Sequence, residues 1–140
     1  MGNKKVKHFA VENRIEELSS LAEKIEEFAG EFKLSPELTM KINLVMEEVL
    51  SNIIFYAFTD NNKHEISISV MLSGSRLTIE IKDDGIPFDP LTKDPPDITM
   101  PAEERPVGGL GIYMVSEIMD EMHYTRKKNQ NILTLYKNMT

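Results

Sequence analysis

Apolar residues recur along this chain with two periods. Spacings of three and four at Ile15, Leu18, Leu21, Ala22, Ile25 and Phe28 predict a first helix. Asn13 stands at its expected N-cap, with Glu16 three residues later in the capping-box position, and Gly30 is expected to end or weaken it. A second helix follows from Ile42, Val45, Met46, Val49, Leu50, Ile53 and Ala57, with Ser35 as N-cap and Pro36 at the first helical position. Leu110, Met114, Val115, Ile118, Met119 and Met122 predict a third, whose methionines fill core space. Strands are expected over residues 4–11, through Ile66, Ile68, Val70 and Leu72, over 76–83, around Tyr124 and over 132–136. Ser73-Gly74-Ser75 turns the second strand into the third, and a polar turn near 127–130 joins the last two.

One acidic residue falls on an apolar parity. Leu77, Ile79, Ile81 and Asp83 point to one face of a strand. If that face is the core, Asp83 is an inward carboxylate, which is costly unless hydrogen-bonded. An ionised carboxylate only accepts, so it needs a donor such as a ligand amino group. The plainer alternative is that the strand stops at Lys82 and Asp83-Asp84-Gly85 is an exposed turn.

Two further patterns bear on chemistry. Six of the seven prolines lie between Pro87 and Pro106, which opposes regular structure there. A loop of about twenty residues inside one domain is usually functional, and residues 88–108 are read as a lid. Gly108-Gly109-Leu110-Gly111 then opens the third helix, whose N-terminal amides can hold phosphates. Glu48 and Asn52 are four apart, on one face of the second helix, while Glu47 points about 100° away. An amide oxygen there can ligate Mg²⁺. A carboxylate beside it can take a proton or orient a nucleophile. Alone, such a pair reads first as the solvated edge of an amphipathic helix.

Composition narrows the setting. At 140 residues and 41% hydrophobic, the chain suits one globular domain, 1–140. A net charge of −7 argues against a broad nucleic-acid surface. With no cysteine, and with His8, His64 and His123 scattered, no thiolate or histidine metal site is expected. No spanning run or signal peptide is visible, and Val6 stands where a myristoylation signal needs Ser or Thr. A cytoplasmic protein is expected, with neither nucleic acid nor membrane as a direct partner.

The order of motifs is more specific than any one of them. Glu-x-x-x-Asn on a helix, a hairpin, Asp-x-Gly, a lid and Gly-x-Gly before a helix resembles the GHKL (histidine kinase-like) ATPase superfamily. Glu48-Val49-Leu50-Ser51-Asn52 resembles its N-box, Asp83-Asp84-Gly85 its first glycine box and Gly109-Leu110-Gly111 its second. Asn52 to Phe58, Pro87-Phe88-Asp89-Pro90, Glu104-Arg105, Gly108 to Tyr113 and Met119-Asp120-Glu121 are similar to the stand-alone bacterial anti-sigma-factor serine/threonine kinases. The resemblance runs from about Leu38 to the C-terminus.

It implies an α/β (α+β) fold: a two-layer Bergerat-type sandwich with a mixed, mostly antiparallel sheet and helices on one face. It implies ATP and Mg²⁺ as cofactors. Asn52 would ligate Mg²⁺, Glu48 would be the general base for a serine hydroxyl, and Asp83 would accept from the adenine amino group. Gly85 would let the backbone pass close to the base. Gly108, Gly109, Leu110 and Gly111 would present the phosphate-binding turn, and Arg105 would cover the terminal phosphate. An anti-sigma-factor antagonist would be the protein substrate, a sigma factor a further partner, and a homodimer the assembly, for which the first strand offers a free edge. Three departures stand out. Pro87-Phe88 replaces a second glycine, Tyr56 stands where histidine is common, and the last hairpin lacks the usual Gly-Thr, leaving Asn131 or Thr134 to serve beside the adenine. The alternative function is an ATP-dependent partner-binding module that transfers no phosphate.

Overall fold

The computed structural model describes residues 4–89 and 109–139. Along them run β1 (Lys4–Glu12), α1 (Glu17–Phe32), α2 (Pro36–Tyr56), β2 (Glu65–Ser73), β3 (Arg76–Asp83), α3 (Gly109–Ile118), β4 (Glu121–Lys127) and β5 (Gln130–Asn138). The strands form one sheet in the order β1-β2-β3-β5-β4. All four pairings are antiparallel, so the sheet lies at the antiparallel end of the expected mixed arrangement.

Alternation gives the sheet two unlike faces. Ile66, Ile68 and Val70, then Leu77, Ile79 and Ile81, then Leu133 and Leu135 are buried on one parity. They join Leu21, Ile25 and Phe28 of α1, Val45, Met46, Val49 and Leu50 of α2, and Val115 of α3 in one core. Each such side chain contributes about 1.5–3 kcal/mol when fully buried. The opposite parity carries Ser67, Ser69, Glu80, Lys82 and Thr134, none of them buried. Helices therefore cover one face, and α2, touching both α1 and α3, is the central helix.

Local signals explain most boundaries. Ser35 accepts from the Leu38 amide at 3.1 Å and Pro36 follows at the first helical position. A cap of this kind is worth about 1 kcal/mol. Gly74, at φ 60°, turns β2 into β3, and Lys128 and Asn129, at φ 53° and 62°, make the tight β4–β5 turn. Among the described residues no helix is long and apolar enough to cross a membrane.

Three local expectations are corrected. Asn13 does not cap α1, which begins at Glu17. Its side chain instead donates to the Asn62 carbonyl at 3.2 Å and accepts from the His64 amide at 2.9 Å, tying β1 to the α2–β2 loop. Gly30 does not end α1. The helix runs on to Phe32 and is closed by Lys33 in the left-handed conformation, its amide bonded to the Ala29 and Gly30 carbonyls. Met122 leaves the third helix for β4, because α3 stops at Ile118 and the chain re-enters the sheet at Glu121.

Candidate functional site

Asp83 ends β3 on the core parity and is 3% exposed, so the exposed-turn alternative is excluded. Its Oδ1 accepts from the Gly85 amide and from Asn131 Nδ2, both at 2.9 Å. The protein itself thus supplies the donors that a buried carboxylate requires, and both fall on one oxygen. Among the described residues Oδ2 accepts no hydrogen bond. Burial pushes the Asp83 carboxyl above its usual range; the bonds from Asn131 and Gly85 pull it down, neighbouring Asp84 pushes it up and Arg126 pulls it down.

The turn after Asp83 is held at successive backbone groups. Arg126 Nη1 donates to the Gly85 carbonyl at 2.7 Å. The Ile86 amide donates to the Ala57 carbonyl at 2.7 Å, and the Ile86 carbonyl accepts from Asn131 at 2.8 Å. The Phe88 amide reaches Asn131 Oδ1 at 3.1 Å. Gly85 lies so close to α2 that an added Cβ would stand 2.2 Å from the Ala57 carbonyl oxygen. Its missing side chain makes room for the end of α2. Beside this turn His64 stacks on Phe58 at 4.7 Å, and its ring nitrogens lie 2.7 Å from Asp60 and 2.9 Å from Asp84. Asp60 is the main cause holding the imidazole above its ordinary pKa.

At the other end of the site, Asn52 is 3% exposed and its Nδ2 donates to Glu48 Oε1 at 3.3 Å. The expected helical column is therefore real, and its outer edge is not a solvated one at Asn52. The first turn of α3 packs against it. A Cβ on Gly111 would lie 1.8 Å from Glu48 Oε1, so the glycine turn and the N-box carboxylate are in contact. Exposed Glu47 lies outside this column, in a groove between α1 and α2. Ala57 is nine residues beyond Glu48, about 13 Å along the helix axis. One helix thus carries the carboxylate–amide pair and docks the Asp83 turn.

Of the remaining expected residues, Gly109 and Leu110 open α3 beside Gly111. Gly108, Arg105 and the lid beyond Asp89 lie outside the described residues. Thr134 is corrected. It pairs with Glu80 and His123 on the parity between buried Leu133 and Leu135, hence on the other sheet face. Asn131 pairs with Asp83 and is 3% exposed, so it is the residue that reaches the acid. The parity of β5 carried that signal: Asn131, Leu133 and Leu135 alternate as Ile79, Ile81 and Asp83 do. Tyr124, whose hydroxyl donates to Asn131 Oδ1, was legible only as a strand residue, and Arg126 was not singled out by the sequence at all.

A one-faced sandwich with an inward acid ending β3, and a glycine turn packed on a helical Glu–Asn pair, defines a nucleotide-binding ATPase architecture. The chain belongs to the histidine kinase-like ATPase domain family, whose profile matches residues 11–137. Serine/threonine-protein kinase BtrW of Bordetella bronchiseptica is 26% identical over 111 residues, covering 79% of this chain and 78% of that one. Serine-protein kinase RsbW of Bacillus thuringiensis is 29% identical over 96 residues; this chain spans 59% of its length. A solved structure of the RsbU and RsbW domains of a Mycobacterium tuberculosis protein superposes with TM-score 0.69 at 13% identity, covering 96% of this chain and 32% of that one.

Proposed function

We propose that this chain is an ATP-dependent protein serine/threonine kinase, an anti-sigma regulatory factor that phosphorylates an anti-sigma-factor antagonist in a partner-switching pathway. The observation that carries the reading is the contact of the Glu48 carboxylate with both Asn52 and Gly111, where the helical pair meets the phosphate turn. The naming of BtrW and RsbW as serine kinases supports it.

In this reading Asp83 Oδ2 accepts from the adenine amino group, and the amides of Gly109, Leu110 and Gly111 face the phosphates at the start of α3. Gly108 and Arg105 keep the roles assigned to them, Gly108 in binding phosphate and Arg105 in covering the terminal phosphate. Asn52 Oδ1 is the protein ligand for Mg²⁺. The donor set fits that ion, which keeps several waters and takes one or two protein oxygens beside phosphate oxygens. Among the described residues no group of three His, Cys, Asp or Glu forms a protein-only cage. When bound, Mg²⁺ supplies charge neutralisation on the phosphates.

Glu48 takes the proton of the substrate serine as its Oγ attacks the γ-phosphorus. The P–O bond to ADP breaks, leaving phosphoserine and ADP. A kinase of this kind works in the cytoplasm, where ATP is, with a sigma factor as a further partner. β1, an edge strand, is the contact we assign to a homodimer.

The test is transfer of label from ATP to a cognate antagonist. Glu48→Gln is expected to keep ATP affinity and to slow transfer by roughly 10²–10⁴-fold, the usual contribution of a general base. Asn52→Ala is expected to abolish the Mg²⁺ dependence of nucleotide binding. Wild-type transfer rates in Glu48→Gln would remove the base assignment. Tight ATP binding with no transfer by the wild type would favour the partner-binding module.

A further inference from the structure

Asn131 is the most heavily used polar side chain of the site. Its Nδ2 donates to Asp83 Oδ1 at 2.9 Å and to the Ile86 carbonyl at 2.8 Å. Its Oδ1 accepts from the Phe88 amide at 3.1 Å and from the Tyr124 hydroxyl. A carboxamide has two N–H donors and two lone pairs, so its capacity is fully spent. The network also fixes which way the amide faces. Turned over, its oxygen would meet a carboxylate and a carbonyl, and its N–H groups would meet an amide and a hydroxyl that donates.

The consequence falls on Asp83. With Asn131 and the Gly85 amide both on Oδ1, the carboxylate cannot rotate without breaking two hydrogen bonds in a buried site. Oδ2 is left as a pure acceptor at a fixed position. An exocyclic amino group satisfies it; the oxygen of a 6-oxopurine would place lone pair against lone pair. We propose that Asn131 is the positioning residue for base selection: by holding Asp83 Oδ1 together with the Ile86–Phe88 backbone, it fixes Oδ2 to prefer a 6-aminopurine over a 6-oxopurine. This rests on the reading of Asp83 as the base acceptor. It adds that selectivity depends on a residue that never touches the base, and that the same amide anchors the chain leaving for the lid.

The experiment compares ATP with ITP, which differ at the 6-position, by calorimetry in the presence of Mg²⁺. In the wild type ATP is expected to bind more tightly. Asn131→Leu keeps the approximate volume and removes every hydrogen bond; the ATP-to-ITP affinity ratio should fall by about tenfold or more, as when a buried partner is left unsatisfied. Tyr124→Phe is the milder variant. It removes one donor to Asn131 and should lower the ratio by about two- to fivefold, the effect of one neutral hydrogen bond. Asn131→Asp should make ATP affinity decline as pH rises, because the proton shared by the two carboxyl groups is lost.

An unchanged ATP-to-ITP ratio in the folded variants, with the wild type selective, overturns the proposal and leaves the nucleotide site standing. Should Asn131→Leu not fold, an unchanged ratio in Tyr124→Phe together with a flat pH profile in Asn131→Asp overturns it equally. A wild type that binds neither nucleotide overturns the site and the proposal together.

Discussion

The two ends of the site are built on opposite terms. The Asp83 end is fixed before any ligand arrives. Asp83, Asn131, Tyr124, Arg126 and Ala57 bond to one another or to the backbone of Gly85, Ile86 and Phe88 at 2.5–3.1 Å. Among the described residues the Glu48 end has one side-chain hydrogen bond, at 3.3 Å, and a glycine pressed against a carboxylate. A pocket that selects a base gains from rigidity, since displaced partners discriminate between ligands. A catalytic carboxylate must accept a proton and change charge, so a saturated network around it would hinder its task. On the roles proposed for Asp83 and Glu48, base selection and phosphoryl transfer place different demands on one helix, α2, which serves both ends.

The sharpest way to break this comparison is at Gly111. A Cβ there would stand 1.8 Å from Glu48 Oε1 and 1.9 Å from its carboxyl carbon, so Gly111→Ala must move the carboxylate. The far end of a flexible side chain can move, and the fold should survive. The reacting geometry should not, and a misplacement of about 1 Å costs on the order of 10²-fold in rate. The expected outcome is a large loss of phosphoryl transfer with a small change in Tm, measured by labelled-ATP transfer and calorimetry on the same preparation. Equal transfer rates would mean that the Glu48 position is not used.

Gly85→Ala should fail in the opposite way. Its Cβ would meet the Ala57 carbonyl oxygen at 2.2 Å and the Ala57 carbonyl carbon at 2.8 Å, backbone atoms that cannot swing aside. The same carbonyl accepts from the Ile86 amide, so relief breaks a hydrogen bond at 2.7 Å. A cost of about 1–3 kcal/mol in stability is expected, as for other overpacked sites. Denaturant unfolding would measure it. A Gly85→Ala protein as stable as the wild type, yet weak for ATP, would return this glycine to the role of clearing space for the base.

What the sequence made legible follows the range over which each signal acts. The core faces of β2, β3 and α2 follow from period alone, because alternation and helical spacing are local. Asp83 was found by the same rule. The parity of β5 by itself sets Asn131 with Leu133 and Leu135 and puts Thr134 on the other face; that Asn131 lies opposite Asp83 comes only from the register of β5 against β3, set by long-range pairing. Asn13 carries a valid capping pattern, yet its amide is taken by the Asn62–His64 backbone, a tertiary contact that competes with a local one. Gly85 and Gly111 look alike as motif glycines. Their neighbours, a backbone carbonyl in one case and a side-chain carboxylate in the other, come only from the fold.

The smallest expected effect concerns what the rigid end costs. Burial, outweighing the bonds from Asn131 and the Gly85 amide, holds the Asp83 carboxyl above its usual range, so the folded protein binds this proton more tightly than the unfolded chain does. Stability should then fall as pH rises from the ordinary aspartate value, near 3.9, through the raised folded pKa, and level off above it. The ionised form of Asp83 is thus less favourable in the folded protein without nucleotide than in the unfolded chain. Asp83→Asn removes that titration. Its Oδ1 can still accept from Gly85 and Asn131, which leaves Nδ2 where the free carboxylate oxygen was. The variant should therefore melt at or above the wild-type temperature at pH 7, with the advantage shrinking toward acid. Its ATP affinity should drop by about 1.5–3 kcal/mol, because a donor now faces the adenine amino group. Melting curves without nucleotide, taken across pH, together with calorimetric ATP titrations, separate the two effects. A variant that melts lower at every pH would mean that the carboxylate's bonds outweigh its desolvation, so the rigid end would stabilise the fold as well as select the base.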